Sequence, residues 1–128
     1  MIDHVSLAVA DLARSGRFYD LVLAPLDFSR IADRPATIGY GKRYPEFWLN
    51  ARPGLAPFPE STGIHVCLRA PSADAVTRFH ELACANGGWS DGEPGERIGQ
   101  MTPYFGAFIR DLDGNKIEAI TFPRPTDT

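Results

Sequence analysis

Cysteine is scarce in this chain: Cys67 and Cys84 are the only two in 128 residues. They form no CxxC pair and are too few for a disulfide framework, so both read as small buried side chains in a reducing compartment. Long apolar runs are missing too. Nothing approaches the ~18 residues that a membrane helix needs, and the start shows no charged-then-apolar segment with a cleavage site. The expectation is a cytoplasmic protein with no membrane partner. Positive charge is also in short supply, with 13 Lys and Arg against 16 Asp and Glu and a net charge of −3. No basic stripe stands out, which argues against a nucleic-acid partner. What remains is globular composition, 44% hydrophobic and 23% charged. This length suits one domain that buries roughly two-thirds of its unfolded surface.

The chain repeats itself. His4-Val5-Ser6-Leu7-Ala8-Val9 runs on to Arg17-Phe18-Tyr19-Asp20-Leu21, and His65-Val66-Cys67-Leu68-Arg69-Ala70 runs on to Arg78-Phe79-His80-Glu81-Leu82. Overlaid without a gap, they match His to His, Val to Val, Leu to Leu, Arg to Arg, Phe to Phe and Leu to Leu. Such an ordered set dictates architecture.

Each copy opens as a strand. Val5, Leu7 and Val9 alternate with His4, Ser6 and Ala8; Ile64, Val66, Leu68 and Ala70 alternate with His65, Cys67 and Arg69. Alternate side chains point to opposite faces, so one face is aliphatic and the other carries the histidine. Asp11 and Ser72 are N-cap candidates for the helices that follow. Leu12, Tyr19, Val22 and Leu23 make one apolar stripe, and Ala75, Val76, Phe79, Leu82 and Ala83 make the other. Pro25 closes the first helix and Asn86-Gly87-Gly88 the second. Further strands are expected at 28–32, 37–40 and 47–50, near Trp89, and at 105–110 and 116–122. Asp111-Leu112-Asp113-Gly114-Asn115 reads as a tight hairpin turn. The plan is α+β: tandem βαβββ modules forming a U-shaped, mostly antiparallel sheet around a cleft. Module one takes 1–50, a Pro- and Gly-rich linker 51–62, module two 63–122 and a frayed tail 123–128.

Chemistry is expected on the concave face. Glu118 alternates with Ile117 and Ala119, which places it in the cleft with His4 and His65. Two imidazoles and a carboxylate suit a divalent ion such as Fe, Mn, Ni, Co or Zn and leave positions open for a substrate. Arg69 shares the face of His65 and could anchor a carboxylate or phosphate. Trp48, Tyr40, Tyr104 and Phe108 are candidate apolar walls for a small-molecule substrate. Tyr104 and Glu46 are candidates for proton handling. His80, on the second helix, reads as solvent-exposed.

His4, Asp11-Leu12-Ala13-Arg14-Ser15, Phe18-Tyr19, His65-Val66 and Asp111-Leu112-Asp113-Gly114-Asn115-Lys116-Ile117-Glu118 together resemble the vicinal-oxygen-chelate superfamily of glyoxalases, bleomycin-resistance proteins and dioxygenases. The resemblance implies paired modules around a metal held by His4, His65 and Glu118, and a homodimer. It also implies a metal-dependent lyase or dioxygenase whose small substrate chelates the ion through neighbouring oxygens. The alternative within the same resemblance is a metal-free binding protein. Glyoxalase I proteins carry a further glutamate on the last strand of the first module. Here that position falls on Trp48, with Glu46 and Asn50 two residues to either side.

Overall fold

The computed structural model describes residues 1–59, 62–99 and 101–123. Residues 124–128 of the expected tail, and 60 and 61 of the expected linker, lie outside the described residues. Each half of the chain builds its own four-stranded sheet. In the first, β1 (Val5–Val9) leads through α1 (Leu12–Val22) and a short 3-10 turn (Ala24–Leu26) to β2 (Ser29–Asp33), β3 (Thr37–Gly41) and β4 (Phe47–Ala51). In the second, β5 (Val66–Arg69) and α2 (Ala73–Ala85) precede β6 (Trp89–Ile98), β7 (Pro103–Arg110) and β8 (Lys116–Thr121).

The two sheets have the same order. β1 pairs parallel with β4, and β3 and β2 follow antiparallel; β5 pairs parallel with β8, and β7 and β6 follow antiparallel. The architecture is α+β, as the repeat implied, but the sheets remain two separate units and do not close into one. β1 and β5 lie at the sheet edges.

Local chemistry explains the element boundaries. The Asp11 carboxylate accepts from the Arg14 amide at 3.1 Å, and Ser72 Oγ accepts from the Ala75 amide at 3.1 Å. Each fills one of the unpaired donors at a helix start. Pro25 sits inside the 3-10 turn, one turn beyond the end of α1. β6 is longer than a strand near Trp89 suggested. Its Gly92, Pro94 and Gly95 break the alternation, and register shifts fall around these residues. Proline is tolerated there because β6 is an edge strand.

The core lies between the sheets and the helices. Val9, Phe18, Tyr19, Val22, Leu23, Phe47 and Leu49 are buried in module one, and Val76, Phe79, Ala83, Ile109, Ile117 and Ala119 in module two. The aliphatic strand faces pack under the helices, and the concave faces are left for polar groups. His80 overturns the sequence reading: it is 6% exposed, with Nε2 2.8 Å from Ser90 Oγ. α2 turns this residue towards β6, where the serine satisfies the ring. The cysteines are corrected too, since both are free and sit at residues exposed overall.

The hairpin turn between β7 and β8 does more than reverse the chain. The Asp111 carboxylate, fully buried, accepts from Tyr19 Oη at 2.6 Å, from the amides of Asp113 and Asn115, and from Asn115 Nδ2. Asn115 Nδ2 also donates to the Ala8 carbonyl at 3.0 Å, and Asp113 accepts from the Ala10 amide at 3.0 Å. A turn of module two therefore holds β1 and α1 of module one. Burial raises the Asp111 carboxyl against the pull of its donors, and burial then the Asp111 charge raises the Tyr19 hydroxyl.

Candidate functional site

His4 and His65 stand immediately before the first residues of β1 and β5, one residue short of the strands. The imidazoles therefore sit at the strand mouths, and both line one open groove together with Ile2, Phe28, Glu46 and Cys67. Their partners differ. His4 Nδ1 lies 2.8 Å from Asp3 Oδ2, and its side chain is 51% exposed. His65 Nε2 lies 3.1 Å from Glu118 Oε1, with its side chain 39% exposed.

Glu118 is the buried end of the second pair, 5% exposed. Alternation on β8 sends Ile117 and Ala119 into the core and Glu118 to the concave face, as expected. Cross-strand registry then surrounds it: Cys67 is opposite on β5 and Phe108 opposite on β7. The His65 ring meets Phe108 edge-on, with centroids 5.6 Å apart. Lost hydration, and then the Glu118 charge, push the Cys67 thiol up to about 12. The same two causes, in the same order, raise the Tyr104 hydroxyl. Tyr104 therefore holds its proton at neutral pH and can donate a hydrogen bond to a bound oxygen.

The structure brings His65 and Glu118 into contact and leaves His4 paired elsewhere. Two ligands roughly 2.1 Å from one ion are themselves roughly 3 Å apart. The His65–Glu118 spacing fits two adjacent donors of one metal. Among the described residues no three His, Cys, Asp or Glu side chains gather as a metal-holding group. One chain thus presents two donors together, with the third across the groove on the other sheet.

Among the other expected residues, Trp48 lies on the concave face of sheet one, with the Arg34 guanidinium 5.4 Å from its ring centre. Registry equates it with Glu118: Ser6 pairs Trp48 as Cys67 pairs Glu118. Glu46 reaches the groove, and its carbonyl accepts from the Val5 amide at 2.9 Å. Arg69 is exposed, with its guanidinium 4.6 Å from the Phe122 ring centre and no acidic partner among the described residues. Tyr40 does not line the cleft. Its ring is 0% exposed, and its hydroxyl donates to Gly16 O at 2.9 Å and lies 2.8 Å from Asp20 Oδ1 on α1. On β3 it shares the core face with Ile38, and that alternation is readable from sequence.

Two residues that sequence reasoning did not single out complete the surroundings. Cys67 is across from Glu118, and Arg97 of β6 places its Cζ 5.3 Å from the Phe108 ring centre. Arg97 was concealed because Gly92, Pro94 and Gly95 disguise its strand; the alternation of Glu96, Arg97 and Ile98 was the available signal.

Comparison with known proteins gives the family and the fold. A family model described as the Glyoxalase/Bleomycin resistance protein/Dioxygenase superfamily matches residues 1–119. A glyoxalase/bleomycin resistance protein from Albidiferax ferrireducens T118 is similar at 32% identity, with a TM-score of 0.80 over 93% of this chain and 97% of that one. A glyoxalase/bleomycin resistance protein/dioxygenase family enzyme from Burkholderia phytofirmans PsJN shares the fold at 20% identity, with a TM-score of 0.71 over 95% and 98% of the two chains. A glyoxalase-related enzyme from Fulvimarina pelagi shares it at 18% identity, with a TM-score of 0.67 over 94% and 87%. No curated protein matches the chain.

Proposed function

The chain belongs to the Glyoxalase/Bleomycin resistance protein/Dioxygenase superfamily, and we propose that it is a metal-dependent enzyme of that superfamily, a lyase or dioxygenase, acting on a small substrate with two neighbouring oxygens. The observation that carries this reading is the buried Glu118 carboxylate with His65 Nε2 at 3.1 Å. His65 and Glu118 would hold the ion, and His4 would complete the set by turning from Asp3 into the groove that it lines. When bound, a divalent ion (Fe, Mn, Ni, Co or Zn) supplies charge that stabilises an oxyanion or enolate on the substrate.

The remaining roles fall to this chain's side chains. Phe108 and Trp48 flank the bound molecule on the two concave faces. Tyr104 keeps its proton and donates to an oxygen of the substrate; Glu46, at the groove, accepts a proton. Arg69 stands at the rim against Phe122, with no acid paired to it among the described residues, and takes an acidic group of the substrate. The protein works as a homodimer, in a cytoplasmic setting.

Elemental analysis of protein purified without a tag, and titration with each of the five metals, test the reading. The expected result is one ion per chain in wild type and none in His65→Ala. Wild-type protein that takes up no metal would overturn it in favour of a metal-free binding protein, the reading that Trp48 at the Glu118-equivalent position favours. Light scattering tests the dimer. Mixing His4→Ala with Glu118→Ala protein tests whether the three ligands come from one chain or two, because a shared site regains metal on mixing.

A further inference from the structure

Arg97, on the concave face of sheet two, is a cation whose hydrogen bonding is incomplete. Its guanidinium folds back along β6, where Nη2 donates to the Glu93 carbonyl at 2.7 Å and Cζ lies against the Phe108 ring. Nε is buried and has no hydrogen-bond partner, and no carboxylate pairs with the group among the described residues. Nearby cations are accounted for: Arg110 Nε and Lys116 Nζ both reach Asp91, at 2.9 and 3.2 Å. A buried N–H without an acceptor is rare in a folded protein and calls for an explanation.

The floor beside it is open at Gly95. Across the sheet Gly95 pairs with Gly106, between the row of Arg97 and Tyr104 and the row of Phe108 and Glu118. A side chain at Gly95 would meet nothing within 4 Å. Open space over Gly95 thus lies beside the guanidinium and the Phe108 ring, whereas over Gly106 the Tyr104 ring and Ile120 already stand close. A planar fork of this kind pairs best with a carboxylate, which accepts two parallel hydrogen bonds.

We propose that Arg97 anchors the ligand of this face through a carboxylate, so that the substrate is a small organic acid lying over Gly95 against Phe108. This rests on the reading that the Glu118 face is the ligand site, and it adds the class of ligand. Benzoate and benzamide are suitable probes because they share size and ring and differ in charge.

Calorimetry and saturation-transfer NMR on the full chain, with chelator present, should show benzoate bound at least tenfold more tightly than benzamide. Arg97→Gln should bring the two within about twofold, with Arg97→Lys intermediate and Arg78→Gln unchanged from wild type. Gly95→Leu, whose Cβ would meet no atom within 4 Å, should weaken benzoate at least tenfold and guards against a folding defect at Arg97. No preference for benzoate in wild type, no saturable binding of either probe, or full preference in Arg97→Gln would each overturn the proposal. The chelator separates the two readings. Charge preference in a protein that takes up no metal sinks the metalloenzyme and leaves the anchor; metal uptake without the preference sinks the anchor alone.

Discussion

The two modules share a backbone plan and differ in what they present on it. Position by position, Trp48 in sheet one stands where Glu118 stands in sheet two, and Gly39 stands where Phe108 stands. The aromatic ring and the neighbouring site have traded functions. In module one the indole spreads across the glycine beside it; in module two a ring on the neighbouring strand shelters a carboxylate. His4 accordingly finds only exposed Asp3, whereas His65 finds buried Glu118. The core faces carry the matched Val, Leu and Phe residues, so folding constrains one side of each sheet and leaves the other to chemistry. The two mouths are equivalent in backbone, and the second faces a buried acid.

Cysteine reactivity offers the largest contrast. Cys67, beside Glu118, has a thiol pushed up to about 12, whereas Cys84, on α2, is raised to a lesser extent, by burial and then by Glu93. The thiolate is the reacting form, so near pH 8 Cys67 should alkylate with iodoacetamide about 10³-fold more slowly than a free thiol of ordinary pKa. Its rate should keep climbing about tenfold per pH unit to pH 10, while Cys84 levels off earlier. Glu118→Gln removes the second-ranked cause and should speed Cys67. Peptide mapping by mass spectrometry reads both sites at once. A plateau for Cys67 below pH 9 would remove the apolar, acid-flanked environment that distinguishes module two.

The modules are coupled through the β7–β8 turn, and breaking that coupling comes next in size. Asp111→Ala strands the Tyr19 hydroxyl, the amides of Asp113 and Asn115, and Asn115 Nδ2. Leaving several buried donors without an acceptor should cost about 3 kcal/mol in urea denaturation. The sign of the pH dependence is distinctive. A carboxyl raised in the folded state contributes stability below its unfolded value near 3.8, and that contribution is lost as pH rises through the folded value. Wild type minus Asp111→Ala should therefore shrink from acid towards neutral pH. A difference that grows instead would mean that the buried group is held ionised by its donors.

Much of this was legible from the residues. The gapless repeat gave the paired modules; strand alternation turned Glu118 inward; Asp11 and Ser72 announced both helix starts. What escaped has physical reasons. His80 looked exposed because an apolar stripe is drawn from apolar residues, and a buried imidazole satisfied by a serine ten residues away leaves no such mark. Tyr40 was assigned to the cleft on residue type, although its alternation with Gly39 and Gly41 places it with Ile38. Arg97 was hidden by a strand whose glycines and proline destroy periodicity. The Asp111 turn looked local because its partners, Tyr19 and Ala8, are about a hundred residues away in the chain. His4 and His65 line one groove, and sequence could not say that their rings would take different partners.

The exchange of ring and glycine can itself be tested by filling the glycine. A Cβ at Gly39 would sit 2.8 Å from Pro45 Cβ and 2.9 Å from Trp48 Cζ3, closer than real contacts allow. The indole can tilt but the proline is held in a short loop, so Gly39→Ala should lose about 1–2 kcal/mol as an overpacked site. Tryptophan emission should shift as Trp48 moves off the sheet towards water. Gly95→Ala, in module two, meets open space and should change stability by less than about 1 kcal/mol, in the stabilising direction, because only the unfolded chain loses freedom. The pair of substitutions contrasts two glycines of the concave faces: one is a seat for an aromatic ring, the other keeps space open. Equal effects from the two would mean that the concave faces are equally roomy, and the asymmetry between the modules would then reside in Glu118 alone.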